Sequence, residues 1–272
     1  METIWYTISP SLWAYAFMVS ICAGLIKGIV GFAMPMITIS GLSLILPPEM
    51  ALAGLILPTL VTNGVQALAQ GPKAALVSTR QFSVFLVAGL VFLMASAQLV
   101  MQIPTAVFLG GIGIMVVSFS LLQLSGYRFK VRRENKVVAF LVGSVTGFVG
   151  GLSGVWGPPT VAYLTAMNTK KEDQLRVQGV VYGLGAVALL FAHIASGILT
   201  WSTVQFSAVL VLPALAGLWI GRRFQKHIDQ ALFSKATLAV LVVGLKSAAS
   251  CLGRVRPNWG GFSSKPANSQ GF

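Results

Sequence analysis

Residues 137–167 form an apolar stretch that contains no Asp, Glu, Lys, Arg or His, yet glycine and proline crowd its centre. The sequence GFVGGLSGVWGPPTV at 147–161 holds five glycines and two prolines. A helix that spans a bilayer needs about 20 apolar residues, so this stretch is too long for one helix and short for two. Because glycine and proline interrupt helices, the stretch predicts a membrane segment that is broken near its middle.

The whole chain has the composition of a membrane protein. Of its 272 residues, 56% are hydrophobic and 9% are charged, whereas soluble domains carry about 25% charged residues. Mean hydropathy is +0.82. These values predict a polytopic membrane protein and exclude a soluble globular domain. The apolar stretches lie at 11–46, 51–70, 80–100, 105–125, 137–167, 175–197, 203–221 and 233–252.

The two stretches that are too long for one helix, 11–46 and 137–167, are related to each other. Helix-breaking residues in the first recur in the second at a constant offset of 123, and an acidic residue follows each stretch at the same offset. Several matches at one offset indicate a duplicated half rather than chance similarity. The matched pairs are Gly24 and Gly147, Gly28 and Gly151, Gly31 and Gly154, Pro35 and Pro158, and Glu49 and Glu172.

Loops in equivalent positions of the two halves differ in basic charge. Lys and Arg are concentrated in cytoplasmic loops, and in each compared pair one loop is basic while its equivalent has no Lys or Arg. This reversal is typical of repeats with opposite membrane topology. The compared loops are 71–80 (basic) with 195–203, 222–235 (basic) with 101–104, and 168–176 (basic) with 47–50.

Opposite topology requires an odd number of crossings in each half. Three transmembrane helices give that number if the broken segment is a hairpin that enters the membrane and returns to the same side, because such a hairpin adds no crossing. We therefore expect an all-α polytopic integral membrane protein of two inverted repeats, each a glycine-broken, re-entrant helical hairpin plus three transmembrane helices. One broken crossing in place of each hairpin is the alternative. The expected units are a first membrane repeat at 11–125, a basic cytoplasmic linker at 126–136, a second membrane repeat at 137–252 and a basic, disordered tail at 253–272.

The broken segments are the candidate binding sites. Lipid does not satisfy the backbone groups that a break frees, so a break is tolerated only inside protein or beside a watery cavity. A helix that restarts at a break offers free amides and a partial positive charge to an anion. Close helix packing through the glycines is the alternative explanation, but it accounts poorly for Gly157-Pro158-Pro159.

Lys27 is the cation that lies deepest in the first apolar stretch, about 20 Å along a helix from Trp13. Charged residues inside a membrane mark functional sites, and the segment from Thr3 to Pro48 contains no Asp or Glu. We therefore expect Lys27 to bind an anionic ligand. The alternative is that Lys27 snorkels to the membrane surface.

Four uncharged or weakly basic residues on the helices after the breaks complete the candidate set. Asn63, Gln178 and Tyr182 either line a cavity or tie helices together by hydrogen bonds. His193 is a candidate for carrying a coupling proton, or else a capped residue near the interface. Glu49 is best explained as a helix-capping residue.

The two glycine-rich segments, each followed by a helix that begins with an acidic residue, resemble the TauE/SafE family of sulfite exporters. The likeness covers residues 11–252, and the second copy, GFVGGLSGVWGPPTVAYLTAMN, carries it best. The resemblance implies a transporter that moves sulfur-containing or organic anions, including sulfite and sulfonates, across the bacterial inner membrane.

Two other functional classes compete with transport. GLSG at 151–154 matches the serine motif of rhomboid intramembrane proteases, with His193 as the partner base. Against this, the repeat already explains the glycines around Ser153. The other competing class is a membrane assembly protein that transports nothing.

The sequence as a whole predicts a secondary transporter, not an enzyme, located in the inner membrane. It contains no nucleotide-binding motif, and Cys22 and Cys251 match no metal-ligand spacing, so we expect an ion gradient to drive it without metal or cofactor. Expected partners are a small anion, a coupling H⁺ or Na⁺ and lipid, but no nucleic acid; a homo-oligomer is a possible assembly. The candidate substrate-binding residues are Lys27, Gly28, Gly31, Pro35, Asn63, Gly151, Ser153, Gly154, Trp156, Gly157, Pro158, Thr160, Gln178 and Tyr182, with His193 for the proton.

Overall fold

The computed structural model describes residues 9–99, 135–154 and 156–229, together with Leu232. Within these ranges the chain is helical and has no strand. The stretches predicted at 105–125 and 233–252, the tail, and most of the linker lie outside the described residues. The described helices are α1 (Pro10–Val30), α2 (Met34–Leu42), α3 (Pro48–Ala67), α4 (Pro72–Gln81), α5 (Ser83–Ala97), α6 (Lys136–Ser153), α7 (Gly157–Ala166), α8 (Lys171–Ala195) and α9 (Trp201–Lys226).

Several of these helices are long and apolar enough to cross a bilayer. In the described part of the chain four helices meet this condition, and a fifth span results if α4 and α5 are counted together. This confirms the prediction of an all-helical, polytopic membrane protein. The four helices are α1, α3 (from Glu49), α8 and α9.

The α4–α5 region differs from the sequence-based prediction. Residues 71–80, compared above as a basic loop, contain helix α4, and α5, which lies within the apolar stretch 80–100, leaves α4 at 81° after Phe82. The helix at 72–81 and the bend were not predicted. Gly71, with φ of 88°, and Pro72 begin α4, because proline presets the first turn of a helix and lacks only an amide that would be unpaired there.

The first broken stretch doubles back on itself. Gly31 ends α1 in the left-handed conformation, with φ of 85°, and its N–H donates to the Lys27 carbonyl at 2.7 Å. The end of α2 returns to the first half of α1: the Tyr15 hydroxyl donates to the Gly41 carbonyl at 3.3 Å, and a Cβ on Gly41 would lie 2.7 Å from the Val19 side chain. The chain therefore forms a hairpin over this stretch; the membrane face it enters stays a prediction.

The second broken stretch resembles the first: its first helix also ends at a left-handed glycine, and its second helix also doubles back. Gly154, with φ of 67°, ends α6 and donates its N–H to the Gly150 carbonyl at 2.7 Å. Late in α7, Tyr163 stacks on Phe85 of α5 at a centroid separation of 5.3 Å. Phe85 also lies against Gly143 in the first half of α6. The end of α7 and the first half of α6 therefore meet at one residue of α5.

The helix boundaries repeat at the offset found in the sequence. Adding 123 to Val30, Met34 and Pro48 gives 153, 157 and 171, which are the end of α6, the beginning of α7 and the beginning of α8. The two halves thus share the helix order of a long helix, a break, a short helix and a second long helix. This agreement supports the predicted duplication.

Glycines let helices of opposite halves approach closely. In α1, a Cβ on Gly28 would lie 2.6 Å from the Leu218 carbonyl oxygen of α9. In α6, a Cβ on Gly143 would lie 2.5 Å from the Phe85 carbonyl oxygen of α5, and a Cβ on Gly147 would overlap the α5 backbone. Small residues at such crossings are typical of membrane helices. The first helix of each half therefore packs on the last described helix of the other half.

The central pair, α3 and α8, is antiparallel. Asn63 Nδ2 donates to the Tyr182 carbonyl at 3.0 Å, and Gln70 Nε2, just after α3, donates to the Glu172 carbonyl at 2.9 Å. As residue numbers increase along α3, the contacting residues on α8 decrease in number, so the two helices run in opposite directions. Because α3 and α8 are equivalent helices of the two halves, this is the arrangement that an inverted repeat requires. The opposite membrane topology of the halves and the predicted unit boundaries stay predictions.

Candidate anion-binding site between the helix breaks

A small cavity lies where the two breaks meet. Six of the residues around it belong to the set predicted from the sequence: Lys27, Pro35, Asn63, Trp156, Gly157 and Tyr182. Two halves that are far apart in the chain therefore build one site. The full lining is Lys27, Phe32, Ala33, Pro35, Met36, Asn63, Trp156, Gly157 and Tyr182.

The beginning of α2 forms one wall of the cavity. Ala33 precedes the helix in the left-handed conformation, with φ of 75°, which is strained for a residue with a Cβ. The Ile37 N–H donates to the Ala33 carbonyl at 3.0 Å and is the first backbone bond of the helix. The amides of Met34 and Met36 come before that bond, so the first turn of α2 presents donors and the positive end of the helix dipole.

The beginning of α7 forms the facing wall. Gly157 is its first residue, Pro158 and Pro159 follow, and the Thr160 N–H donates to the Trp156 carbonyl at 3.4 Å. Prolines carry no N–H, so Gly157 has the only amide hydrogen among the first three residues of α7. The prolines fix the backbone for helix initiation, and a binding role for the Gly157 amide stays a prediction.

Lys27 directs its amino group into this site. The residue is 2% exposed, and its Nζ donates to Asn63 Oδ1. Asn63 in turn donates through Nδ2 to the Tyr182 carbonyl, which turns its amide oxygen toward the lysine. The ion pairs found among the described residues join Lys171 to Glu172 and Arg176 to Asp173, and none involves Lys27. A snorkelling lysine would have an exposed ammonium, so the burial of Lys27 contradicts that alternative.

The second half contributes shape rather than charge. The position equivalent to Lys27 is Gly150 (27 + 123), and a Cβ there would lie 2.5 Å from the Trp156 ring. The Trp156 ring also packs against the Tyr182 ring, with a centroid distance of 6.2 Å. The Tyr182 hydroxyl donates to the Gly157 carbonyl at 3.3 Å. Trp156 thus fills the space that a second lysine would need.

Other predicted site residues lie near the cavity without lining it. Gly31 and Gly154 end the helices that precede the breaks, and Gln178 contacts Gly31. Pro158 and Thr160 are buried in the first turn of α7, where Thr160 Oγ1 donates to the Trp156 carbonyl at 2.9 Å. Their binding roles stay predictions.

Three predicted residues have other surroundings. Gly28 lies at the contact of α1 with α9, and Gly151 lies at the contact of α6 with α5. The Ser153 side chain lies outside the described residues. The two glycines are therefore explained by helix packing in this structure, and their binding role has no geometric support.

His193 is buried away from the lining residues. It lies eleven residues after Tyr182 on α8, about 16 Å along the helix axis, and its Nδ1 is 3.2 Å from Ser196 Oγ. Its Nε2 has no hydrogen-bond partner among the described residues. The proposed proton role of His193 stays a prediction.

Sequence reasoning missed the apolar part of the lining. Phe32, Ala33 and Met36 contact the cavity, yet in a membrane sequence such residues look like lipid-facing or core residues. The signal that could have found them is their position next to Pro35, a predicted site residue, because residues beside a helix break lie in the same surroundings as the break.

Comparison with known proteins gives one match. The family model described as "Sulfite exporter TauE/SafE" matches residues 16–246, a range that includes both breaks and every residue of the cavity. No curated protein and no solved structure matched the chain.

Proposed function

Because the chain belongs to the TauE/SafE sulfite exporter family, whose members are membrane transporters and not enzymes, we propose that it exports a small sulfur-containing or organic anion. Sulfite and sulfonates are the proposed substrate class, and the bacterial inner membrane is the proposed location. Family membership favours transport over the intramembrane protease alternative, which required an activated Ser153.

The observation that carries this proposal is the convergence of three positive groups on one cavity. The Lys27 ammonium, the first turn of α2 and the first turn of α7 all line it. An oxyanion there accepts charge-assisted hydrogen bonds from the lysine and from backbone amides, which are stronger than neutral ones. Two helix N-termini add favourable interaction with negative charge.

The same lining disfavours a cationic substrate. None of the nine lining residues is Asp or Glu, and a cation would lie beside Lys27 and two positive helix ends. Apolar groups from Phe32 and Trp156 provide the remaining surface, which suits the organic part of a sulfonate. An assembly protein that transports nothing has no need of such a cavity, so substrate flux separates the two functions.

The direct test measures binding and flux with the purified full chain. Thermal shift and isothermal titration with sulfite, methanesulfonate, acetate and chloride identify the preferred anion, and reconstituted liposomes report its flux. We expect Lys27→Met to weaken binding of that anion at least about 10-fold, the loss of one charge-assisted contact of about 1.5–3 kcal/mol. Lys27→Arg should give an intermediate defect, because it keeps the charge but changes the geometry.

The matched control is Lys73→Met, since Lys73 is an exposed lysine of α4. This variant should bind like the wild type. Unchanged affinity in a folded Lys27→Met variant would remove the lysine from the site. Absence of both anion binding and flux in the wild type would favour the assembly protein.

A further inference from the structure

The hydrogen-bond partners of Lys27 do not suit an ammonium in an empty site. An ammonium has three N–H donors and no lone pair. One donor is taken by Asn63 Oδ1, and no second acceptor for Lys27 occurs among the described residues. The Asn63 amide group is fixed by its bond to the Tyr182 carbonyl, so it offers its oxygen and nothing more.

Among the described residues, Lys27 also has no counter-charge. The side chain is 2% exposed, and its neighbours in the cavity include Phe32, Met36 and Trp156. A buried charge without a partner is costly, and the group gives up its charge instead. A neutral amine has two N–H donors and a lone pair and needs no counter-charge. The empty site therefore stabilises the neutral form, and an anion in the cavity stabilises the ammonium.

The described helices around Lys27 bring no other charge to it. On α2, residues 34–42 contain no titratable group. On α3, Glu49 is exposed and lies 14 residues before Asn63, about 21 Å along the axis. On α8, Tyr182 uses its hydroxyl as a donor to Gly157, and His193 lies outside the cavity lining.

The α9 helix meets α1 at the residue that follows Lys27. A Cβ on Gly28, the residue after Lys27, would lie 2.8 Å from the Arg222 backbone nitrogen. The side chain of Arg222 is partly exposed. Lys27 is therefore the charged group that responds most directly to what enters the cavity.

We propose that Lys27 takes up one proton with each anion that binds, so that the protein moves the anion and the proton together in the same direction, outward when the anion is sufficiently concentrated inside the cell. In the binding step the neutral amine forms one N–H bond with a proton from solvent, and the resulting ammonium pairs with the anion. On release, the anion leaves and the ammonium returns the proton to water on the other side. No oxidation occurs, and a monovalent anion crosses without net charge.

This inference rests on the proposed anion-transport function, and the test separates the two. The full-length protein is titrated in weakly buffered detergent solution with the anion found in the thermal-shift screen, and a pH-indicator dye reports protons. The wild type should take up close to one proton per anion bound. Lys27→Arg should still bind the anion but take up none, because arginine stays protonated.

The matched control is His193→Gln, which removes the other buried basic side chain of the described core. It should keep the proton uptake of the wild type. Uptake that is lost in His193→Gln and kept in Lys27→Arg would overturn the inference in favour of His193. Anion binding without proton uptake in the wild type would also overturn it while leaving the proposed function intact, whereas absence of anion binding would count against the proposed function itself.

A liposome measurement decides the question if Lys27→Arg does not fold. An imposed pH gradient alone should drive accumulation of a monovalent anion by the wild type, and an imposed membrane potential alone should not. Flux that follows the membrane potential and ignores the pH gradient would overturn the inference.

Discussion

Gly31, at the end of α1, lies directly against the side chain of Gln178 on α8: the amide oxygen occupies the space that a Cβ of residue 31 would need. The equivalent contact exists in the other half, where a Cβ on Gly154 would lie 3.3 Å from Leu55 of α3. Adding 123 to 31 and 55 gives 154 and 178, so the contacts correspond residue by residue. Each break is thus supported by the long helix of the opposite half.

Gly31→Ala should destabilise the protein. Residue 31 has φ of 85°, which is unfavourable for alanine, and the new methyl group would collide with Gln178. We expect a loss of about 1–3 kcal/mol in the free energy of unfolding, measured by chemical denaturation in detergent. The control is Gly64→Ala on α3, where a Cβ meets nothing within 4 Å. A Gly31→Ala variant as stable as this control would contradict the structural role of the break.

Gly157→Val should abolish transport in protein that still inserts in the membrane, with a loss of activity larger than its loss of stability explains. A Cβ on Gly157 would lie 2.8 Å from the Phe32 ring at the cavity wall, so the added methyl groups enter the space for the anion and shield the Gly157 amide. Liposome flux and thermal unfolding, measured on the same preparation, check this. Full transport by a well-folded variant would exclude an anion from this position, and activity that falls only in step with stability would indicate a packing role.

Gly221→Val should have the opposite effect, a loss of folded protein without a change in anion affinity. A Cβ on Gly221 would overlap the Leu25 carbonyl and lie 2.9 Å from Gly28 Cα, so α1 and α9 would have to separate. We expect a cost above about 2 kcal/mol, seen as lower yield and melting temperature. Ala208→Val, at an exposed position of the same helix, is the control and should be stable. A Gly221→Val protein with normal stability would show that the α1–α9 contact is looser than the structure has it.

Cysteine labelling tests the hairpin topology. Lys136 and Lys170 are exposed and lie at the beginnings of α6 and α8. In a Cys22→Ser, Cys251→Ser background, Lys136→Cys and Lys170→Cys should react with an impermeant maleimide from the same side, the cytoplasm. Labelling from opposite sides would favour one broken crossing and eight spans.

Much of this architecture was predictable because it depends on local residue properties. The breaks at Gly31 and Gly154 follow from glycine and proline in apolar sequence, and the boundaries of α6, α7 and α8 agree with the constant offset between the halves. Lys27 stood out because a charge within an apolar stretch requires a partner. Asn63 and Tyr182 were found because polar groups are rare on such helices.

The features of the fold and of the site that could not be predicted depend on contacts between distant parts of the chain. Nothing near Phe82 distinguishes the 81° bend between α4 and α5 from a continuous helix, since the direction of α5 is set by its packing on α6. The glycines show the same limit: both Gly28 and Gly157 were predicted to bind the substrate, yet Gly28 lies between helices and Gly157 lines the cavity. Which role a glycine has is decided by its neighbour in space.

The pairing of Lys27 with Gly150 at equivalent positions bears on how such a protein could arise. A homodimer of the first half alone would place two ammonium groups in one apolar cavity, where they would repel each other. A homodimer of the second half alone would place two tryptophans there and no charge. A single buried lysine beside a single indole therefore cannot come from two identical copies of either half. If the predicted duplication holds, divergence of the two halves gives one the role of charge and the other the role of shape.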